Sequence, residues 1–287
     1  MGGSAHWHRV DLYRGARART QGRPTCIYID GARWEGRGAV ELVSLVDNLE
    51  IIVGRRWPLI VALFIIEIVF VVWISNSPFF PREQESYVAQ YNSLGPVLNA
   101  SAPGQVYAIF KNNYFVSVAE LVPIAGPVIF GVSLYQTARI VEVIGIVKNV
   151  GSGFALADLF ILPHTWLELP AYSIAAAESF YLTAAMLGLR GGRRGFVNEL
   201  GKLVVNLILI AGVLIVAATF EVTEIQIQAM NASKPATDPA QLLPLITWIP
   251  FAAIAAGAVA FWKRARRDLK GLEERDAAAP APPSGSA

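Results

Sequence analysis

Residues 203–220, LVVNLILIAGVLIVAATF, carry no charged side chain and are almost wholly apolar. A helix needs roughly 20 such residues to cross the hydrocarbon core of a bilayer. Residues 242–262, LLPLITWIPFAAIAAGAVAFW, are equally uncharged, and residues 57–74, WPLIVALFIIEIVFVVWI, contain Glu67 as their one charged residue. We therefore predict a membrane-spanning helix at each of the three segments.

The composition of the whole chain agrees with a membrane protein. Of its 287 residues, 54% are apolar and 16% are charged, whereas soluble chains carry about 25% charged residues. The single cysteine, Cys26, excludes an intrachain disulfide framework and a metal site built from cysteines alone. The net charge of +2 gives no reason to expect a nucleic-acid partner. Since no signal-peptide pattern precedes residue 40, we expect the first span to direct insertion.

Lysine and arginine residues cluster in three regions: the N-terminal arm up to Arg56, the loop around Arg193, and the segment that begins at Lys263. The positive-inside rule places all three regions in the cytoplasm. The intervening loops, 76–105 and 221–241, hold one basic residue each, so we expect them on the outer side.

The topology requires an odd number of crossings between the first span and residue 190, and the chain there is too apolar to leave two helices in water. We therefore predict an all-α, polytopic membrane helix bundle of about six spans with both termini in the cytoplasm. The predicted spans are 57–75, 106–122, 124–148, 163–188, 203–220 and 242–262, within a membrane domain of 57–262. Around it we predict a basic, disordered arm (1–38), an amphipathic interfacial helix (39–56) and a basic, then low-complexity tail (263–287).

Asn99 and Asn231 each begin an Asn-Ala-Ser sequence in a predicted outer loop. The pattern accepts a glycan only on the exported side of a membrane. Both residues are therefore glycosylation candidates, and their positions agree with the predicted topology.

Polar residues interrupt the fourth predicted span, LPHTWLELPAYSIAAAES at 162–179. On a helix of 3.6 residues per turn, His164, Glu168 and Glu178 share one stripe about 80° wide. Alanines lie between them, and small residues allow a neighbouring helix to approach closely. Pro170 cannot donate a helical hydrogen bond, so we predict a broken helix between Pro163 and Pro170.

Three explanations for this polar stripe remain open. In the structural explanation, which we favour, His164 and Glu168 hydrogen-bond each other and form a polar cluster with Asn112 and Asn113. This cluster would supply partners for the backbone groups of the broken helix and hold the second and fourth spans together. In the second, a histidine and a carboxylate one turn apart bind a metal ion, although no HExxH pattern supports it. In the third, a proton or ion path runs through the bundle along Glu178, Arg139 and Glu142.

Four charged residues lie deep in predicted spans and form a predicted intramembrane charge network: Glu67, Arg139, Glu142 and Glu178. A lone guanidinium at membrane depth is costly, so such residues are usually paired. We predict that Arg139 pairs with a carboxylate of another span, first Glu178 and otherwise Glu142.

The order of these motifs resembles a known family. Asn112 and Asn113 (IFKNN) precede Pro163, His164 and Glu168 (PHTWLELPA), and a long apolar span then ends at Glu221 (FE). This order is similar to that of the stage II sporulation protein M family of integral membrane proteins, over about residues 50–262. The chain has Thr165 where the family usually has glycine, and Gln136–Thr137 where it usually has Asn-Gly. These differences indicate a distant member, and the sequons with the Arg- and Ala-rich composition favour an archaeal source.

The resemblance implies a membrane scaffold, since the family's namesake recruits cell-wall-degrading partners during engulfment in spore-forming bacteria. The sequence itself shows no Walker lysine motif, nucleophile elbow or glycine-rich phosphate loop, so we expect no enzyme, no catalytic residues and no bound cofactor or metal. We expect a non-enzymatic scaffold in the plasma membrane, with the bilayer and other envelope proteins as partners and a homo-oligomer left open. The alternative is a transporter or channel-like subunit with a polar site inside the bundle. An intramembrane hydrolase comes third.

Overall fold

The computed structural model describes residues 56–80, 82–189, 192–231 and 239–278. Within these ranges it is helical and contains no β-strand. The predicted arm at 1–38 and almost all of the predicted interfacial helix at 39–56 lie outside the described residues. The helices are α1 (Trp57–Ser75), α2 (Glu83–Asn92), α3 (Gly95–Leu98), α4 (Ala102–Glu120), α5 (Gly126–Val147), α6 (Ser152–Ile161), α7 (Thr165–Met186), α8 (Gly192–Asn231), a 3-10 helix (Pro239–Thr247) and α9 (Trp248–Ala278).

Four helical segments of the described chain are long and apolar enough to cross a membrane: α1, α5, residues Glu199–Asn231 of α8, and Gln241–Arg264, which includes the start of α9. The all-α membrane fold is thereby confirmed. Helices α4 and α7 occupy the other two predicted spans and have 19 and 22 residues, but their polar side chains lower their hydropathy. The count of six crossings and the cytoplasmic side of the termini stay predictions.

Helix α7 lies at the centre of the bundle and packs against α1, α4, α5 and α8. Its middle turns present Ala171, Ala175, Ala176 and Ala177, which are all at most 2% exposed. Because alanine side chains are short, the backbones of four neighbours can approach this helix closely. The helix therefore brings its polar residues into the interior rather than towards lipid.

Helix α1 buries one stripe of side chains, at Ile60, Leu63, Glu67, Val71 and Ile74. The spacing of three and four residues places these side chains on one helical face. Ile65, Ile66 and Val69 are exposed on the other faces, as expected for side chains that meet lipid. Glu67 is thus the one carboxylate in an otherwise apolar buried stripe.

The turn between α4 and α5 depends on a glycine. A Cβ atom at Gly126 would lie 2.0 Å from the Glu120 carbonyl oxygen and 2.3 Å from Ser179 Oγ, so no larger residue fits there. Ile124 adopts a positive φ of 68°, and its N–H donates to Thr183 Oγ1 at 2.8 Å. The start of α5 is therefore fixed beside the second half of α7.

Several boundaries differ from the sequence predictions. Helix α2 and the apolar helix α6 were not predicted, and α9 continues past residue 262 to Ala278. The predicted break lies at 162–164, between α6 and α7, while α7 runs without interruption through Pro170. The break therefore lies at the Pro163 end of the predicted range, and Pro170, in the second turn of α7, removes one helical hydrogen bond without ending the helix.

Candidate functional site

The predicted polar cluster lies between α4 and α7. Asn113 Nδ2 donates to Glu168 Oε1 at 2.6 Å, and Asn112 Nδ2 donates to Asn113 Oδ1 at 3.2 Å. Asn112 is exposed, whereas Asn113 and Glu168 are half-buried. The structure thus brings three of the four predicted residues together. The Asn113–Glu168 hydrogen bond joins α4 to α7 through residues that are 55 positions apart in sequence.

The fourth residue, His164, turns to a different partner. Its Nδ1 binds Glu224 Oε2 on α8, and Glu224 Oε1 accepts a hydrogen bond from Thr247 Oγ1 at 3.0 Å. His164 and Glu224 are 6% and 1% exposed. A direct His164–Glu168 hydrogen bond, as the structural explanation assumed, is not formed. Sequence reasoning missed Glu224, and with it Thr247, because it ended the fifth span at residue 220, whereas α8 continues to Asn231.

At the break between α6 and α7, the free backbone carbonyls accept hydrogen bonds from side chains other than the predicted asparagines. Thr165 Oγ1 donates to the Leu159 carbonyl at 2.7 Å, and Trp166 Nε1 donates to the Phe160 carbonyl at 2.8 Å. Trp248 Nε1, from α9, donates to the Ile161 carbonyl at 2.8 Å. The last carbonyls of α6 thus receive donors where the helix offers none. The side-chain nitrogens of Asn112 and Asn113 instead donate to Asn113 Oδ1 and to Glu168.

Arg139 lies where α5 passes the end of α1. Its Nη1 binds Glu142 Oε2 at 2.6 Å, and its Nε lies 3.3 Å from Glu83 Oε1 on α2. Nη1 also donates to the Ser77 carbonyl at 2.8 Å, and the guanidinium carbon is 4.8 Å from the centre of the Phe79 ring. The predicted pair of Arg139 with Glu178 is wrong, whereas the second predicted partner, Glu142, does bind Arg139, from the same helix. The carboxylate that another helix contributes is the unpredicted Glu83.

Glu83 attaches the short helix α2 to α5. Tyr135 donates its hydroxyl to Glu83 Oε1, and the Phe80 N–H donates to Glu83 Oε2 at 2.8 Å. Burial works to raise the pKa of Glu83, but these two hydrogen bonds and the charge of Arg139 lower it overall. Glu83 therefore stays ionised to lower pH than an ordinary glutamate.

Glu178 and its basic partner lie together at the end of the bundle opposite to Arg139. Arg56, just before α1, donates from Nη1 to Glu178 and from Nη2 to Glu199 on α8. The guanidinium carbon lies 4.5 Å from the centre of the Tyr181 ring, and Lys202 Nζ lies 3.1 Å from Glu199 Oε1. Arg56 and Glu178 are each 2% exposed. Sequence reasoning counted Arg56 among the topology-setting basic residues and missed its place in the interior.

Glu67, the last member of the predicted network, contacts no basic residue among those described. Its Oε2 accepts a hydrogen bond from Ser173 Oγ of α7 at 2.8 Å. The predicted network is therefore divided into an Arg139 cluster, an Arg56 cluster and an unpaired carboxylate. The described residues also hold no group of three or more His, Cys, Asp or Glu side chains placed for a metal ion.

The two glycosylation candidates differ in exposure. Asn99 is exposed at the end of α3. Asn231 is 4% exposed, and its Nδ2 donates to the Ile227 carbonyl at 2.9 Å. A glycan attaches at that nitrogen, so the arrangement at Asn231 disfavours modification and leaves Asn99 as the candidate.

A comparison with known protein families identifies the family of this chain. The sequence model of stage II sporulation protein M matches residues 60–223, more than half of the chain. The chain belongs to the stage II sporulation protein M family. No curated protein and no solved structure matches it. The family match covers Asn113, His164 and Glu168, and ends just before Glu224, the partner of His164.

Proposed function

We propose that this family member is a non-enzymatic scaffold in the plasma membrane, a multi-pass protein that holds other membrane or cell-envelope proteins in position. The observation that carries the proposal is the pairing of the interior arginines. Arg56 and Arg139 are each 2% exposed, and each binds two carboxylates of the same chain. Buried ion pairs at both ends are suited to a bundle of fixed shape, whereas a carrier has to open towards each side in turn.

Helix α9 offers a surface on which such a partner could dock. Its residues 252–261 are all exposed, and it contacts the rest of the protein mainly through the 3-10 helix and Phe220. This surface carries small residues, which favour close packing of another membrane helix: Ala252, Ala253, Ala256 and Gly257. The proposed partner is therefore a transmembrane helix of another envelope protein.

Site-specific photo-crosslinking in native membranes tests the scaffold proposal. A photoreactive amino acid replaces Ala256 on α9 or, as the matched control, Ala62, which is exposed on α1. We expect a discrete protein adduct from position 256 and only lipid adducts from position 62. Lipid adducts alone from both positions would contradict a partner site on α9.

We further propose that both termini are cytoplasmic, as the distribution of basic residues predicts. After replacement of Cys26 by serine, one cysteine is added beside Asn231 or beside Arg193, and intact cells are treated with a membrane-impermeant thiol reagent. The cysteine beside Asn231 should react and the one beside Arg193 should react only after lysis. The reverse pattern would invert the topology.

A transporter or channel-like subunit is the second candidate, favoured by the carboxylates that remain unpaired in the interior. Ser173→Cys provides a test, because Ser173 is 0% exposed and contacts Glu67. In a closed scaffold this cysteine should resist water-soluble thiol reagents in the folded protein. Rapid labelling from the aqueous phase would favour a transport path over the scaffold.

A further inference from the structure

Two carboxylates in the interior of the bundle form no ion pair with a basic residue of the described chain. Glu67 on α1 and Glu120 at the end of α4 are both 0% exposed. No lysine, arginine or histidine of the described residues forms an ion pair with either of them. Glu67 Oε1 and Glu120 Oε2 are also buried without a hydrogen-bond partner in the described part of the chain. An ionised carboxylate in this setting is costly, because no ion pair with a described residue compensates for its lost hydration.

The neighbouring charges add to this cost. Glu67 is close enough to Glu120 and Glu168 for their charges to interact. Tyr172, on α7, interacts with Glu67, Glu120, Glu168 and Glu221. These groups come from α1, α4, α7 and α8 and are neutral or acidic. The nearby basic residue, His164, acts on Glu168 and Glu221 and is itself bound to Glu224. Each additional negative charge would therefore repel the others across a region of low dielectric constant.

Hydrogen bonding around Ser133 indicates where a proton would lie. Ser133 Oγ is 2.6 Å from Glu120 Oε1 and 2.9 Å from the Phe130 carbonyl oxygen. Both of these oxygens are acceptors when Glu120 is ionised, but a serine hydroxyl has a single hydrogen to donate. Both contacts become full hydrogen bonds if Glu120 carries a proton on Oε1 and donates it to Ser133 Oγ. The serine hydrogen is then free to bind the Phe130 carbonyl.

From this geometry we propose that Glu67 and Glu120 form a proton-binding site in the interior of the bundle, with one proton on each carboxyl at neutral pH. Ser173 orients the Glu67 carboxyl, and Ser133 accepts the proton of Glu120. Loss of the two protons would place two uncompensated charges among α1, α4, α5 and α7. Deprotonation should therefore loosen the packing of these helices, which makes the shape of the bundle depend on pH.

Infrared difference spectroscopy of the purified protein tests the site, because a protonated carboxyl has a C=O stretching band that a carboxylate lacks. We expect the wild-type protein at neutral pH to show this band and to shift it in heavy water. Glu67→Gln and Glu120→Gln should each remove part of its intensity. Glu85→Gln is the matched control, since Glu85 is exposed on α2, and it should leave the band unchanged.

Two serine variants test the site even if a glutamine variant folds poorly. Ser133→Ala and Ser173→Ala preserve both carboxyls but remove their hydroxyl partners, so each should shift the frequency of the band. An unchanged band in all four variants would overturn the proposal. Wild-type protein that lacks the band and melts at a temperature set by sodium or potassium concentration would instead show a bound metal cation, which also overturns it.

The proton site does not depend on the scaffold proposal. The infrared band reports the protonation of two interior residues, whereas crosslinking at Ala256 reports a contact on the outside of α9. Either result can fail while the other holds.

Discussion

Replacement of Arg56 by methionine removes the guanidinium that binds both Glu178 and Glu199. Methionine has a similar length and no charge, so the packing against Tyr181 is largely kept. Glu199 retains Lys202 at 3.1 Å. Glu178, which is 2% exposed, loses the one basic residue of the described chain that forms an ion pair with it.

The size of the effect follows from the burial of this cluster. Removal of one partner of a buried ion pair costs about 3–5 kcal/mol, because the other charge is left without compensation. We therefore expect Arg56→Met to lower the free energy of unfolding by about 3–5 kcal/mol. For a chain of this size, a loss of that magnitude lowers the melting temperature by roughly 10 °C.

A double-mutant cycle separates the cost of the unpaired charge from the loss of contacts. Glu178→Leu alone should be milder than Arg56→Met, because Arg56 still binds Glu199. The double variant Arg56→Met/Glu178→Leu should recover most of the loss, since apolar replacements of a whole buried pair are often neutral. The melting temperature of each variant in detergent is measured by heating the protein and monitoring the remaining folded fraction by size-exclusion chromatography with fluorescence detection.

Arg82→Met is the control, because Arg82 is exposed and no ion pair to it is found among the described residues. It should change stability by less than about 0.5 kcal/mol. If Arg56→Met is as mild as this control, or if the double variant is no better than Arg56→Met, the electrostatic account of the cluster is wrong.

Three other predictions follow from the opposite end of the bundle. Asn113→Leu should lower the free energy of unfolding by about 1–3 kcal/mol, because Glu168 loses its hydrogen-bond donor. The control Asn112→Leu, at an exposed position, should lower it by less than about 0.5 kcal/mol. Equal losses in the two variants would contradict the Asn113–Glu168 contact. Trp248→Phe should cost about 0.6–2 kcal/mol by removing one interhelical hydrogen bond, and an unchanged melting temperature would refute this. Because its pKa is lowered in the folded protein, Glu83 stabilises α2 above the pKa of an unfolded glutamate. That contribution is lost as pH falls through the lower folded value, so hydrogen exchange of α2 should accelerate only in that acidic range, and Glu83→Gln should abolish this pH dependence.

The depth of charged residues was the weakest part of the sequence prediction. Arg139 and Glu178 both lie inside predicted spans, so they were expected to meet. In the structure, the start of α5 at Gly126 contacts Ser179, the neighbour of Glu178. Arg139 is thirteen residues further along α5, which corresponds to about 20 Å. The two residues are therefore near opposite ends of the bundle, and each pairs with a charge at its own end.

The local sequence was sufficient for the class of fold, because the transfer of about 20 apolar residues into lipid depends on composition and hardly on distant neighbours. The local sequence also predicted that Asn113 and Glu168 lie at the same depth, because the depth of a residue follows from its position within its own helix. Which side chains meet across helices was decided only by the tertiary structure. Arg56 binds carboxylates 122 and 143 residues away, and such pairs depend on the rotation, direction and order of packed helices. No local pattern specifies those quantities, because they result from how all the helical faces fit together.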